Sequence, residues 1–202
     1  MSPILQSRSN ASAIGYGAFS VAAAAVKAFE SIATTTLSSA NSTITFSSIP
    51  ATFTHLQIRG LARSSNIYYN AGMQLRINGD TGANYSRHRL EGEGTAAYSD
   101  GSASVTSTQQ VATTGGASLA NNFAGFVIDI LDYANTNKYK TIRTLTGYDN
   151  NGNGSGNDRG DIHLNSGSWQ NTSAITSITF TLNDASNFVT GTTCALYGIK
   201  GA

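Results

Sequence analysis

The run of residues that comes nearest to a ligand-binding motif is Asp149-x-Asn151-x-Asn153, followed by glycine. Calcium loops place oxygen ligands at alternate positions and need a glycine for the sharp turn. The match then ends, because Gly160 stands at the twelfth position, where a bidentate glutamate is expected, and Asp161 comes one step later. The pattern therefore favours a hairpin loop, with Asp149, Asn151 and Asn153 as a minor candidate for metal binding.

Paired carboxylates are a second source of chemistry. Glu91 and Glu93 lie two apart in the segment LEGEG, and residues two apart on a strand point to the same side. Asp129 and Asp132 flank the end of an apolar run. A glycosidase holds two carboxylates across a sugar-binding cleft, and no cleft is indicated here. We interpret Glu91 and Glu93 as part of an exposed acidic strand and predict that the protein is not an enzyme.

The histidines and the phosphate-binding patterns give no sharper signal. His55, His88 and His163 are scattered, without HExxH spacing or any other close pair, although three imidazoles could still meet in the folded protein. The sequence contains no GxSxG elbow, no Walker loop and no dinucleotide fingerprint. We therefore predict no catalytic residues and no cofactor.

The composition limits the classes of partner. Charged residues make up 11% of the 202 residues and the net charge is +1, so no basic surface for nucleic acid or for an anionic membrane is expected. An ordinary soluble domain has about 25% charged residues. A surface built from Ser, Thr, Asn and Gly loses few hydrated charges when it packs against a neighbour. The single cysteine, Cys194, lies in an apolar run and is predicted to be a small core residue.

The elements that must position these residues are short strands. From Glu30 onward, apolar and polar residues alternate in short runs bounded by Gly, Asn and Asp, which predicts an all-β, antiparallel sandwich over residues 30–202. Strands are predicted at residues 42–46, 55–63, 73–77, 123–131, 139–145, 175–182 and 193–199. Residues 99–120, with one weak strand near Val105, and residues 149–161 are predicted to be long exposed loops, because both are rich in small polar and turn-forming residues.

The N-terminal stretch, residues 1–29, has a different character. It is rich in Ala and Ser, lacks strand alternation, and contains AAAAVKAF, which suits a short helix that is unstable alone. We interpret it as an attachment arm that becomes ordered when it docks on a partner chain. Its apolar side chains are the predicted assembly residues: Ile14, Tyr16, Phe19 and Val21. A secretory signal peptide is the alternative interpretation, weakened by glycines and a lysine in the apolar run.

Several phrases of the sequence resemble those of a group of virion structural proteins of tailed bacteriophages, which are tail-fibre-like or decoration-like. The phrases are SSIPATFTHLQIRG (47–60), NGDTGANYSRHR (78–89), VIDILDYANTNKYK (127–140), GSWQNT (167–172) and LYGIKG (196–201). The resemblance implies a jelly-roll-like domain displayed on a particle, and SAIGYGAF resembles segments that attach such domains to a virion. It carries over no catalytic residue, and it leaves open whether the protein belongs to the tail or decorates the capsid.

The expected function is therefore that of a virion subunit, assembled in the host bacterial cytoplasm and anchored by its arm. Expected partners are other virion proteins and further copies of the chain, with a trimer preferred. A carbohydrate-binding module that recognises a host surface glycan, through the predicted loops, is the alternative. The tyrosines Tyr68, Tyr69, Tyr85 and Tyr98 could line a sugar site, although we favour the core or a subunit interface for them.

Overall fold

The described part of the protein, residues 28–152 and 159–201 of a computed structural model, consists of β-strands and the turns that connect them. The strands are β1 (Phe29–Thr36), β2 (Thr43–Phe46), β3 (His55–Ala62), β4 (Asn70–Ile77), β5 (Tyr85–Gly92), β6 (Ala97–Val105), β7 (Thr108–Thr114), β8 (Ala124–Leu131), β9 (Lys140–Tyr148), β10 (Asp161–Trp169), β11 (Ile178–Leu182) and β12 (Thr193–Ile199). No helix in these two ranges is long and apolar enough to cross a membrane.

The strands form two antiparallel sheets that pack face to face. The larger sheet has eight strands in the order β1-β12-β3-β8-β9-β10-β5-β6, and the smaller has four in the order β2-β11-β4-β7. When the hairpins β5–β6 and β9–β10 are left out, the larger sheet has the order β1-β12-β3-β8 and the smaller sheet the order β2-β11-β4-β7. Counted along the chain, these are the first, eighth, third and sixth of the remaining strands, opposite the second, seventh, fourth and fifth. That order is the double Greek key of a jelly roll, so the predicted antiparallel sandwich is confirmed.

The two extra hairpins extend one sheet of the jelly roll. Hairpin β9–β10 continues outward from β8, and β5–β6 pairs with β10 beyond it. From the smaller sheet, β7 reaches over this extension, where it contacts β9, β10 and β5. The extension therefore has an inner face that β7 partly covers and an outer face on the opposite side of the sheet.

Strict alternation of buried and exposed positions builds the core. Strands β4, β8 and β11 bury every second side chain, and the inward residues of β4 and β11 are those predicted from the pattern. At the centre, Phe180 is completely buried and its ring centroid lies 6.5 Å from that of Phe126 on the opposite sheet. Burial of these apolar side chains is the main stabilising contribution to the sandwich.

One predicted loop is wrong. Residues 99–120 were expected to be an exposed loop, and they contain most of β6 and all of β7. Strand β6 is the outermost strand of the large sheet, and nearly all its side chains are exposed, so apolar alternation is absent from its sequence. Its backbone is held by pairing with β5, which composition alone does not reveal.

The predicted arm lies almost wholly outside the described residues. Nothing in the structure bears on Ile14, Tyr16, Phe19 or Val21, because the description begins at residue 28. Strand β1 starts at Phe29, the last residue of the predicted arm, and pairs with β12 at the edge of the large sheet. The arm therefore joins the sandwich at that edge.

Cys194 is predicted to be unreactive in the native protein. It is completely buried, as expected from its apolar run, and burial raises the pKa of its thiol to about 12. Since the thiolate is the nucleophile, a rise from the ordinary 9.0 lowers its concentration at pH 8 roughly a thousandfold. We expect a disulfide reagent to modify the protein rapidly in concentrated urea and at least about a hundredfold more slowly without it. Equal rates would show that the residue is accessible.

Candidate functional site

The outer face of the large sheet carries a row of apolar side chains in direct cross-strand register. Leu90 pairs with Leu164, Leu164 with Leu145, and Leu145 with Val127, so the row crosses β5, β10, β9 and β8. The three leucines are each more than half exposed. A continuous row of this kind differs from the single exposed apolar residues found on most protein surfaces.

A second row runs beside the first and is deepened by glycines. Ile162 stands next to Gly147, which pairs with Gly125, and Gly125 pairs with Leu61 on β3. Ile162 and Leu61 are 59% and 52% exposed, so they form the walls of a shallow groove over the glycines. The groove has a volume of about 860 Å³ and includes Val127 and Leu145 of the first row.

These two rows form what we call the apolar face: Leu61, Leu90, Val127, Leu145, Ile162 and Leu164. Side chains on this face gain about 25 cal/mol for each Å² of apolar surface removed from water. Burial of the apolar face in an interface therefore makes the free energy of association more favourable, and none of the six side chains carries a charge that must lose its hydration. The face has the chemistry of a protein contact.

The inner face of the same strands has the opposite character. Glu91 at the end of β5, Glu93 just after it, and Asp161 and His163 on β10 are all less than 9% exposed. Arg159 projects among them from the end of the loop that precedes β10. This group of five residues is the ionic cluster. The prediction that Glu91 and Glu93 lie on an exposed strand is wrong, because both side chains are buried on the inner face, over which β7 packs.

Arg159 is the centre of the ionic cluster. Its guanidinium group pairs with Glu93, lies 3.7 Å from Glu91 Oε1, and lies 3.1 Å from Asp161 Oδ1. It also stacks on the ring of Tyr69, 4.3 Å from the ring centroid. Burial lowers the pKa of Arg159, but Asp161, Tyr69, Glu93 and Tyr148 together raise it by more, so the pKa lies above its ordinary value. Breaking such a group leaves buried charges without partners.

Asp161 is fixed by neutral partners as well. Its Oδ2 accepts hydrogen bonds from the Tyr148 hydroxyl at 2.5 Å and from Asn70 Nδ2 at 3.1 Å. Burial is the largest cause of the raised pKa of Tyr148, followed by its bond to the aspartate. On the other side of the cluster, Arg89 pairs with Glu91 Oε2 at 2.8 Å.

His163 differs from the rest of the ionic cluster because both of its ring nitrogens are buried without a hydrogen-bond partner. Its Nε2 lies 3.6 Å from Glu91 Oε1. Desolvation lowers the pKa of His163, and the nearby Glu91 and Asp161 oppose that effect. Asn165 on β10 and the hydroxyl of Thr144, its partner on β9, are also buried and unpartnered. A buried polar group without a partner needs an explanation.

The other predicted site residues are dispersed. Asp129 lies on the outer face, where its carboxylate accepts a hydrogen bond from Gln57 at 2.7 Å, whereas Glu91 lies on the inner face. Asp132 instead pairs with His55 at 3.6 Å and with Lys138 at 2.8 Å. The three histidines do not come together, since His55 is on β3 and His88 is exposed on β5.

The minor calcium candidate forms a turn. Asp149 Oδ1 accepts a hydrogen bond from the backbone of Asn151, which has a positive φ of 61°, as a tight turn requires. Asn153 lies outside the described residues. Asp161, the residue one step beyond the motif, belongs to the ionic cluster.

The chain was compared with protein-family models, curated proteins and solved structures, and nothing matched it.

Arg159, Asp161 and Tyr148 were missed as site residues. A signal existed in DIHLNSGSW, whose Asp161, His163 and Asn165 alternate with Ile162 and Leu164. The alternation predicts that the apolar residues point inward, and in the structure they point outward.

Proposed function

We propose that the protein is a structural subunit of a tailed-phage virion, an exposed appendage that packs against further copies of itself through the apolar face. The single observation that carries this proposal is the apolar face, a set of six in-register side chains on the open side of the sheet extension. The resemblance in sequence phrases to virion proteins supports the setting on a particle, in the tail or on the capsid.

The position of the N-terminal segment supports assembly between copies. The 27 residues before the description begins are attached at β1, the edge of the same sheet that carries the apolar face. Extended, they reach about 90 Å. For comparison, strand β10, which carries Ile162 and Leu164 of the apolar face, lies five strands from β1, roughly 24 Å away. The segment is thus long enough to reach a neighbouring subunit or the particle, and its apolar residues suit burial there.

The proposed occupant of the apolar face is a second copy of the chain, which contacts it with its own apolar face or with another part of its surface. A trimer would cover the face of each subunit and the open edge of β6. The low charge content favours such contacts, because few hydrated groups are lost when they form.

Deletion of residues 1–28 tests the attachment. We expect the shortened chain to fold with an unchanged β-sheet circular dichroism spectrum, because the deletion ends just before β1. We expect purified particles to contain the full-length chain and to lack the shortened one. Normal incorporation of the shortened chain would contradict an attachment arm and leave the apolar face as the contact to test.

A second candidate function is binding of a host glycan, favoured by an exposed tip at one end of the sandwich. Ile67 and Tyr68 are 82% and 62% exposed, and Leu119 in a neighbouring loop is 50% exposed. Exposed aromatic rings stack on sugars. Glycan-array binding that is lost in Tyr68→Ala and kept in Tyr139→Ala, another exposed tyrosine, would support this function. An array without signal for the intact protein would contradict it.

A further inference from the structure

We propose that His163, Glu91 and Asp161 form a binding site for a divalent transition-metal ion inside the sheet extension. Each residue offers one ligand atom, and the three atoms lie within 4.8 Å of one another. All three side chains are more than nine-tenths buried, with His163 at 4% exposure and Asp161 at 3%. Nothing in the jelly-roll scaffold requires these groups, since they come from the two inserted hairpins.

His163 and Asp161 both have donor atoms that make no hydrogen bond. Neither ring nitrogen of His163 has a hydrogen-bond partner, and Asp161 Oδ1 accepts no hydrogen bond, although Arg159 lies nearby. Glu91 uses Oε2 for Arg89, while its Oε1 points to His163 Nε2 at 3.6 Å. Ligands at about 2.1 Å from a tetrahedral ion lie roughly 3.4 Å apart. The pair of Glu91 and His163 already has about this spacing, and the ligand atom of Asp161 lies within 4.8 Å of both.

The charges of the site favour a cation. Three carboxylates, of Glu91, Glu93 and Asp161, face two guanidinium groups, of Arg89 and Arg159, so one formal negative charge is in excess. Arg89 is shared further with Asp100 on β6. An excess buried charge is costly unless another cation compensates it.

Arg159 would give up two contacts when the ion binds, those with Asp161 Oδ1 at 3.1 Å and with Glu91 Oε1 at 3.7 Å. Its guanidinium would keep its pair with Glu93 and its stacking on Tyr69. Asp161 would keep the bonds that its other oxygen accepts from Tyr148 and Asn70. The ion would therefore replace a cation that already contacts these carboxylates, while the other polar contacts that position the ligands remain.

The ligand types select the class of metal. One imidazole and two carboxylates suit Zn²⁺, Mn²⁺, Fe²⁺ or Co²⁺ better than Ca²⁺, which prefers six or more oxygen ligands. Asn165 and Thr144, the next inward positions on β10 and β9, add neutral oxygen donors nearby. The site would join β5 to β10 and stiffen the sheet beneath the apolar face.

Calorimetric titration of the full-length, tag-free protein with Zn²⁺ tests the site, after prior treatment with a chelator. We expect one ion per chain, and binding at least about tenfold weaker in His163→Gln and in Glu91→Gln. Co²⁺ gives a second readout, because its visible absorption reports the coordination number and an imidazole ligand. Circular dichroism of each variant separates loss of the site from loss of the fold.

Two control variants locate the ion. His55→Gln removes the other imidazole that lies 3.6 Å from a carboxylate, and His88→Gln removes an exposed one. Both should bind Zn²⁺ like the unmodified chain. Absence of stoichiometric binding, or equal affinity in a folded His163→Gln, would overturn the proposal.

Discussion

Replacement of Arg159 by methionine is expected to lower the free energy of unfolding by about 3 kcal/mol. The substitution keeps much of the side-chain volume and removes the charge that faces Glu91, Glu93 and Asp161. Breaking a buried ion pair by removing one partner typically costs roughly 3–5 kcal/mol, and the 16% exposure of Arg159 places the effect at the lower end. Urea denaturation with a chelator present and at fixed protein concentration measures it.

Arg143→Met is the matched control for that variant. Arg143 on β9 lies 3.9 Å from Asp129, but its side chain is 60% exposed on the outer face. An exposed ion pair contributes about 1 kcal/mol or less, so the control should lose little stability. Similar losses in the two variants would show that the ionic cluster is not the main polar contact of the sheet extension.

Replacement of Phe180 by alanine is expected to lower the free energy of unfolding by about 3–5 kcal/mol. Phe180 lies on β11, is completely buried, and packs between its cross-strand neighbours Ile44 and Leu75. Its ring also faces Phe126 across the sandwich, so truncation removes transfer free energy and leaves a cavity between the sheets. The same urea titration measures the loss.

Phe29→Ala provides the comparison on the surface. Phe29 is 43% exposed on the edge strand β1 and makes an edge contact with Tyr197. We expect it to lose about 1 kcal/mol or less, since its ring is only partly buried at the edge of the sheet and its truncation opens no enclosed cavity. A Phe180→Ala loss no larger than this would mean that the two sheets do not pack as described.

The sequence predicts six of the eight jelly-roll strands, namely β2, β3, β4, β8, β11 and β12, because apolar and polar residues alternate in most of them. Leu56 and Ile58 of β3, and Met73 and Leu75 of β4, alternate with polar residues and point inward as the pattern indicates. One buried face and one solvated face give a clear period of two. The same reasoning places Cys194 correctly in the core.

The sheet extension follows the reverse pattern, and the sequence misleads there. Ile162 and Leu164 point outward while Asp161 and His163 point inward. A prediction from hydrophobicity alone therefore assigns the inner and outer faces of β10 the wrong way round. Local patterning cannot reveal this, because the orientation is set by pairing β10 with β5 and β9 and by polar partners distant in sequence. Arg159 and Glu93, for example, are 66 positions apart.

The inverted strand links the two proposals in this protein. Burial of ionic groups beneath β10 leaves its apolar residues on the outside, where they join Leu90, Leu145 and Val127. A sheet with charged residues inside and apolar residues outside is an unfavourable arrangement for an isolated subunit, since exposed apolar rows promote association. In the proposed assembly, contact with further copies of the chain would remove that cost.

The most direct test is the molar mass of the full-length protein in solution, measured by light scattering during gel filtration. We expect a multiple of the 21.0 kDa chain, with three copies preferred, and a shift to the single-chain mass in Leu145→Asp. Ser166→Asp, an exposed change on the outer face of β10 outside the apolar face, should keep the assembled mass. A full-length protein that stays at 21.0 kDa at tens of micromolar, or a Leu145→Asp variant that assembles normally, would contradict the account.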